Sequence, residues 1–208
     1  MAEVRPRFEF RAFAQNFGLI EERMRTLSPV EQIRESLEIY IVSSESNHSN
    51  TKIRDQLMDI KVLVQKKLGL EQWNPRMKGQ FPMAAEVIRE QVFPAFGVAS
   101  PEFKRQSYTL PQFLRELILP HPSLVAVHVF KRRFGFTING CIAELADVYV
   151  NGARIMTASI ESESPEAILQ AKELVGLTGY ENVNYLLAIK RIIGMAPLAE
   201  SSVFRVRF

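Results

Sequence analysis

Residues 123–163 read SLVAVHVFKRRFGFTINGCIAELADVYVNGARIMTASIESE, and the two turns in this stretch decide the fold. Asn139-Gly140 and Asn151-Gly152 favour type I′ hairpins, because both central positions of that turn need a positive φ. They divide the stretch into β-rich runs over 123–135, 141–150 and 154–163, which predicts an antiparallel meander. In the last run side chains alternate between faces, so Ser159, Glu161 and Glu163 share one side. Carboxylates two residues apart on a strand stand about 7 Å from each other. They repel unless a cation, a basic group or water compensates them. A solvated strand face ahead of a turn is one reading of this E-x-E.

Other strand-like runs favour a different reading. Residues 4–13 alternate, with Phe8, Phe10 and Ala12 opposite Arg7, Glu9 and Arg11. Residues 36–43 set Leu37, Ile39 and Ile41 against Glu38, Tyr40 and Val42. Runs over 51–55 and 57–65, with a short turn near Asp55-Gln56, carry Lys52 and Arg54, then Asp59 and Lys61. In the meander, Lys131 and Arg133 share a face. Charges of both signs recur on one face of strand after strand, which predicts a sheet curled around a polar interior. Leu70 to Lys78 is a further candidate strand, demoted to an edge or a bulge by Pro75.

Between and after the strands the apolar spacing turns helical. Residues 14–27 carry Phe17, Ile20, Met24 and Leu27 as a stripe. Pro82 to Phe93 reads as a helix closed by Pro94 and Gly97. Ser100-Pro101-Glu102 and Thr109-Leu110-Pro111 read as helix starts. Ser164-Pro165-Glu166 opens a helix to about Val175, with the serine as N-cap and proline in the first turn. A last helix spans 182–193, and Val203 to Phe208 alternates like an edge strand. No linker or repeat divides the chain, so it reads as one domain: strands over about 4–163, helices over about 165–194.

Composition narrows the function. Apolar and charged fractions of 47% and 24% are those of an ordinary soluble protein. A formal charge of +3 argues against a general nucleic-acid coat and leaves room for a local anion site. The single cysteine, Cys141, excludes an intrachain disulfide framework and a Cys-rich zinc site. No apolar run reaches membrane-spanning length, and the start of the chain lacks a signal-peptide core, which predicts a cytoplasmic protein without a membrane partner. G-x-x-x-x-G-K-[ST], G-x-S-x-G and H-E-x-x-H are all absent, and the three histidines are scattered. What remains is carboxylates, which suit hard cations, together with Lys and Arg, which suit phosphate oxygens.

The order of these segments resembles the CYTH superfamily, the triphosphate tunnel metalloenzymes, which includes class IV adenylyl cyclases and thiamine triphosphatases. The family opens on E-x-E-x-K; here Arg7-Phe8-Glu9-Phe10-Arg11 stands in that place, with Arg7 at the first glutamate position. Lys52-Ile53-Arg54 and Met58-Asp59-Ile60-Lys61 are similar to its basic strands. Lys131-Arg132-Arg133 matches K-x-R, and Glu161 with Glu163 matches the terminal E-x-E. Glu144 and Asp147, on opposite faces, compete for the acidic position between. The resemblance covers about 5–164. It implies an α+β fold: an antiparallel eight-stranded β-barrel forming a tunnel, helices packed outside, and a C-terminal helical segment.

It also implies a small phosphorylated ligand, a nucleoside or inorganic triphosphate, held by Arg11, Lys52, Arg54, Lys61, Lys131 and Arg133. Mg²⁺ or Mn²⁺ would sit on Glu9, Glu161 and Glu163, with Lys61 and Arg133 acting catalytically on charge that develops during phosphoryl transfer. Arg7, Asp59, Glu144 and Asp147 have open roles. Two functions follow: a metal-dependent phosphohydrolase or cyclase, or a binding module or sensor for a phosphorylated ligand with a degenerate metal site. Oligomeric state is left open.

Overall fold

The computed structural model of the chain describes residues 6–197. The meander is β8 (Leu124–Ile138), β9 (Cys141–Val150) and β10 (Ala153–Ser162), preceded by β1 (Phe8–Ala14), β2 (Gln32–Ser43), β3 (Ser49–Arg54), β4 (Leu57–Lys67) and β5 (Leu70–Gln80). These eight strands close an antiparallel barrel in the order β1-β10-β9-β8-β2-β3-β4-β5. Two short strands, β6 (Met83–Ala84) and β7 (Ser107–Tyr108), pair separately. The turn chemistry is as expected: Asn139, Gly140, Asn151 and Gly152 have φ of 51, 70, 47 and 91°. Asp55 and Gln56 also take positive φ, of 51 and 60°.

Pro75 does not demote its strand. The ladder from β5 to β1 pairs Gln72 with Phe8 and Glu71 with Glu9. Pro75 lies beyond those pairs, so its missing N–H breaks none of these rungs.

Five helical runs complete the described chain: α1 (Leu19–Leu27), α2 (85–96), α3 (110–118), α4 (Pro165–Val175) and α5 (Tyr185–Ile192). The first begins later than the apolar spacing implied, because β1 continues to Ala14 and Gly18 turns the chain with φ 48°. The second follows the short strand β6, so Pro82 is not its first turn. Ser100-Pro101-Glu102 opens no helix. The backbone N–H groups of Lys104 and Arg105 donate instead to the hydroxyl of Tyr108, at 2.9 and 3.3 Å. Thr109 does open one, through a capping box with Gln112. Val203 to Phe208 lies outside the described residues. No helix among them is long and apolar enough to cross a membrane.

The chain divides into two compact units. The first holds the described parts of Met1–Ser36, Val64–Trp73 and Phe130–Phe208; the second holds Leu37–Leu63 and Asn74–Val129. In the first, Phe10, Ala143, Leu145, Ala158 and Ile160 pack against Met24 of α1 and Ile168 and Val175 of α4. Strand alternation turns Glu9, Arg11, Glu144, Ser159 and Glu161 to the opposite face. In the second, Ile41, Ile53, Met58 and Ile60 pack against Ile88 and Phe93 of α2 and Phe113 of α3. Their alternates Tyr40, Lys52, Arg54, Asp59 and Lys61 take the other face. Each unit therefore carries an apolar cluster on one side of its strands and charge on the other.

Candidate phosphate site

Register builds the charged face of the first unit. Arg11 lies opposite Ser159, which lies opposite Glu144; Glu9 lies opposite Glu161. Cross-strand partners share a face, so three carboxylates converge on one arginine. Arg11 is only 5% exposed. Its Nε donates to Glu9 Oε1 at 2.6 Å, Nη1 stands 3.5 Å from Glu144, and Nη2 stands 4.0 Å from Glu161. Nη1 also donates to Thr157 Oγ1 at 3.3 Å. Burial pulls the guanidinium pKa down, but Glu9, Tyr185 and Glu144 outweigh it and hold Arg11 well above the usual arginine range. Burial, then the Glu9 carboxylate, pushes Glu161 up to about 7 against the pull of Arg11. One guanidinium does not neutralise three carboxylates. The cluster favours a further cation or a proton.

Glu144 and Glu161 continue into a cavity of about 610 Å³, whose wall also carries Arg7, Arg34, Arg133 and Glu31. Arg133 Nη2 donates to Ser36 Oγ at 3.0 Å, while its buried Nε has no hydrogen-bond partner. A buried guanidinium N–H with no acceptor is costly, and Arg133 also lines the cavity, where a guanidinium suits an anion.

Several candidates from the sequence stand elsewhere. Asp147, on the opposite face from Glu144, pairs with Arg154. The structure thus separates the two competing acids: Glu144 faces Arg11 and Asp147 does not. Glu163 is exposed, one residue past the end of β10. Lys131 is buried, with Nζ 3.7 Å from the centroid of the Tyr185 ring.

Lys52, Arg54, Asp59 and Lys61 belong to the second unit, where Lys52 pairs across the ladder with Tyr40 and Asp59. Burial pulls the Lys52 ammonium below the usual lysine range, with Lys61 and Arg54 adding to it, although Glu38 and Asp59 oppose. Arg54 Nη1 is 3.8 Å from Glu38, which is wholly buried.

Sequence reasoning missed Glu71, Asn182, Asn184 and Tyr185. Glu71 is buried and accepts from Trp73 Nε1 at 3.1 Å and Asn184 Nδ2 at 2.9 Å, with Lys66 Nζ at 2.9 Å. Asn182 Oδ1 accepts the Arg11 backbone N–H at 2.8 Å. Of these, only Asn184 left a local signal, as an N-cap residue ahead of an apolar helix; it accepts from the Leu187 N–H at 2.9 Å.

Among the described residues no three His, Cys, Asp or Glu side chains are gathered to hold a metal ion. Glu144 and Glu161 nevertheless share the cavity wall. Mg²⁺ is commonly bound by one or two carboxylates, with substrate phosphates and water completing its shell. Two carboxylates on one wall are compatible with a cation of that kind.

No family model matches the sequence, and no curated protein matches it. Solved structures do. A conserved hypothetical protein of Pyrococcus furiosus aligns with a TM-score of 0.50 at 15% identity, over 86% of this chain and 98% of its own. A Pyrococcus horikoshii protein gives 0.51 at 16% identity, over 86% and 97%. A Hippeastrum protein with a dominant triphosphatase activity gives 0.51 at 11% identity, over 90% and 96%. These likenesses establish the fold. With the closed eight-stranded barrel, the chain shares the fold of these structures, the α+β barrel that the order of its segments implies.

Proposed function

We propose that the protein binds a triphosphate-containing small molecule in the cavity of its first unit and cleaves or cyclises it. The observation that carries this reading is Arg133, a cavity-wall arginine with a buried Nε–H that has no acceptor. Arg7 and Arg34 stand on the same wall, and three guanidinium groups suit an extended polyanion better than a neutral ligand. The activity of the Hippeastrum protein of the same fold is consistent with that substrate class.

Glu144 and Glu161 would hold Mg²⁺ or Mn²⁺, which supplies charge neutralisation on the phosphate oxygens. Arg11, behind them, holds Glu9, Glu144 and Glu161 in one orientation and offsets part of their repulsion. Arg133 donates to phosphate oxygens and stabilises charge as the bond to the leaving group breaks. The nucleophile is a water molecule for hydrolysis or a ribose hydroxyl for cyclisation.

The test is calorimetric titration with tripolyphosphate and with ATP, each with and without Mg²⁺ or Mn²⁺, beside assays of phosphate and pyrophosphate release. R133A should bind roughly 10- to 150-fold more weakly, with nearly unchanged melting. Binding by R133A equal to that of wild type would overturn the assignment.

A further inference from the structure

We infer that Tyr185 is a positioning residue for this site: its ring holds the buried cations Arg11 and Lys131 in place behind the cavity carboxylates. The inference rests on reading the cavity as a phosphate site.

Arg11 and Lys131 are 5% and 3% exposed, and both lie against one aromatic ring. The Arg11 guanidinium carbon is 4.6 Å from the ring centroid and Lys131 Nζ is 3.7 Å from it. The two charges are therefore within about 8 Å of each other, with the ring as their common contact. An aromatic face carries negative potential, and its attraction for a cation is strongest where water is excluded. Packing alone would be served by an aliphatic side chain, and Phe13 already meets the ring edge-on at 5.2 Å and 87°. What the aliphatic side chain lacks is the π-system that both buried positive charges contact.

The chain delivers Tyr185 to that place through Arg11 itself. Asn182 Oδ1 accepts the Arg11 N–H at 2.8 Å, and the Val183 N–H donates to the Arg11 carbonyl at 2.7 Å. Both backbone groups of Arg11 are thus bonded to the two residues that lead into α5. Asn184 caps that helix, and Tyr185 is its first residue. From the ring the contact passes through Arg11 to Glu144 and Glu161 on the cavity wall. Lys131 stands two residues before Arg133 on the same face of β8, about 7 Å along the strand. Tyr185 is not among the residues that line the cavity; it acts through the cations it holds.

The first measurement needs no ligand. In NMR spectra of the full chain, the ε-methylene protons of Lys131 should be shifted upfield by the ring current in wild type and in Y185F, and return to ordinary values in Y185L. The second is tripolyphosphate affinity with Mg²⁺ present. Y185F should stay within about twofold of wild type, and Y185L should fall by roughly 10- to 30-fold. K131Q keeps the ring and loses the cation, so it decides the matter should Y185L not fold. It should lose roughly tenfold in affinity. An ordinary Lys131 shift in wild type, or wild-type affinity in Y185L or K131Q, overturns the inference. A shifted Lys131 in a wild type that binds no tripolyphosphate overturns the cavity reading and takes the positioning role with it.

Discussion

Arg11 is where residue chemistry has most influence, because three carboxylates depend on one buried guanidinium. Removing it by R11M leaves Glu9, Glu144 and Glu161 facing one another, and should cost about 3–5 kcal/mol in urea unfolding at pH 7. The cost should shrink at low pH, where the carboxylates protonate; an R11M variant as stable as wild type at pH 7 would show that the cluster is solvated after all. Glu161 gives a second test, with a defined sign. Its folded pKa of about 7 lies above the unfolded value near 4.3. Between those values the folded state binds more protons, so this contribution to stability is complete below about pH 4.3 and is lost as pH rises through about 7. E161Q mimics the protonated acid. In EDTA it should be more stable than wild type by about 1–2 kcal/mol at pH 8, a value discounted for partial exposure, and no more stable at pH 4. A gain independent of pH would point to packing instead. The residue types of this cluster were legible in the sequence, since alternation alone puts Glu9 and Arg11 on one face. Their partners were not: Glu144 and Asp147 are separated only by register, and Tyr185 meets Arg11 across more than 170 positions of chain.

Elements were legible where local chemistry decides them. Asn139-Gly140 and Asn151-Gly152 take the positive φ that a tight hairpin needs, and the meander follows. Ser164-Pro165 opens α4 at the expected residue: Ser164 Oγ accepts the Ala167 N–H at 3.2 Å and donates to Glu166 at 3.1 Å. S164A should therefore lower stability by about 1 kcal/mol in thermal or urea melts, and S164N should restore most of it. Equal losses in both variants would mean that the hydroxyl acts through something other than the cap. One reading failed where a distant acceptor won, and another where a proline lies clear of the rungs to β1. Ser100-Pro101-Glu102 has the composition of a helix start, yet the following N–H groups bond to Tyr108. A proline breaks a strand where its N–H is needed, and the rungs from β5 to β1 lie at Glu71 and Gln72, short of Pro75. Neither outcome can be deduced from a window of a few residues.

At the scale of the whole molecule, period-two alternation alone separates the apolar clusters outside the strands from the charges on their other face, in each of the two units. Buried charge opposes stability unless it is paired, so the apolar clusters must offset a cost that both units carry. In the second unit that cost is measurable at Lys52. Burial, aided by Lys61 and Arg54, depresses its pKa more than Glu38 and Asp59 raise it. A lysine whose folded pKa lies below its unfolded value leaves the unfolded chain holding more protons between the two. Stability therefore rises with pH through that window, and the cost of the charge is fully present below it. K52M removes the charge and keeps the length of the side chain. It should melt at a higher temperature than wild type at pH 7, and the difference should narrow as pH approaches about 10.4, where the unfolded lysine also loses its proton. Melting curves for both proteins at pH 7, 9 and 10.5 make the comparison. A gain of the same size at every pH would trace to packing of the methionine. A K52M that melts below wild type at pH 7 would show that Glu38 and Asp59 need the ammonium more than burial penalises it, so that the charge stabilises the unit that carries it.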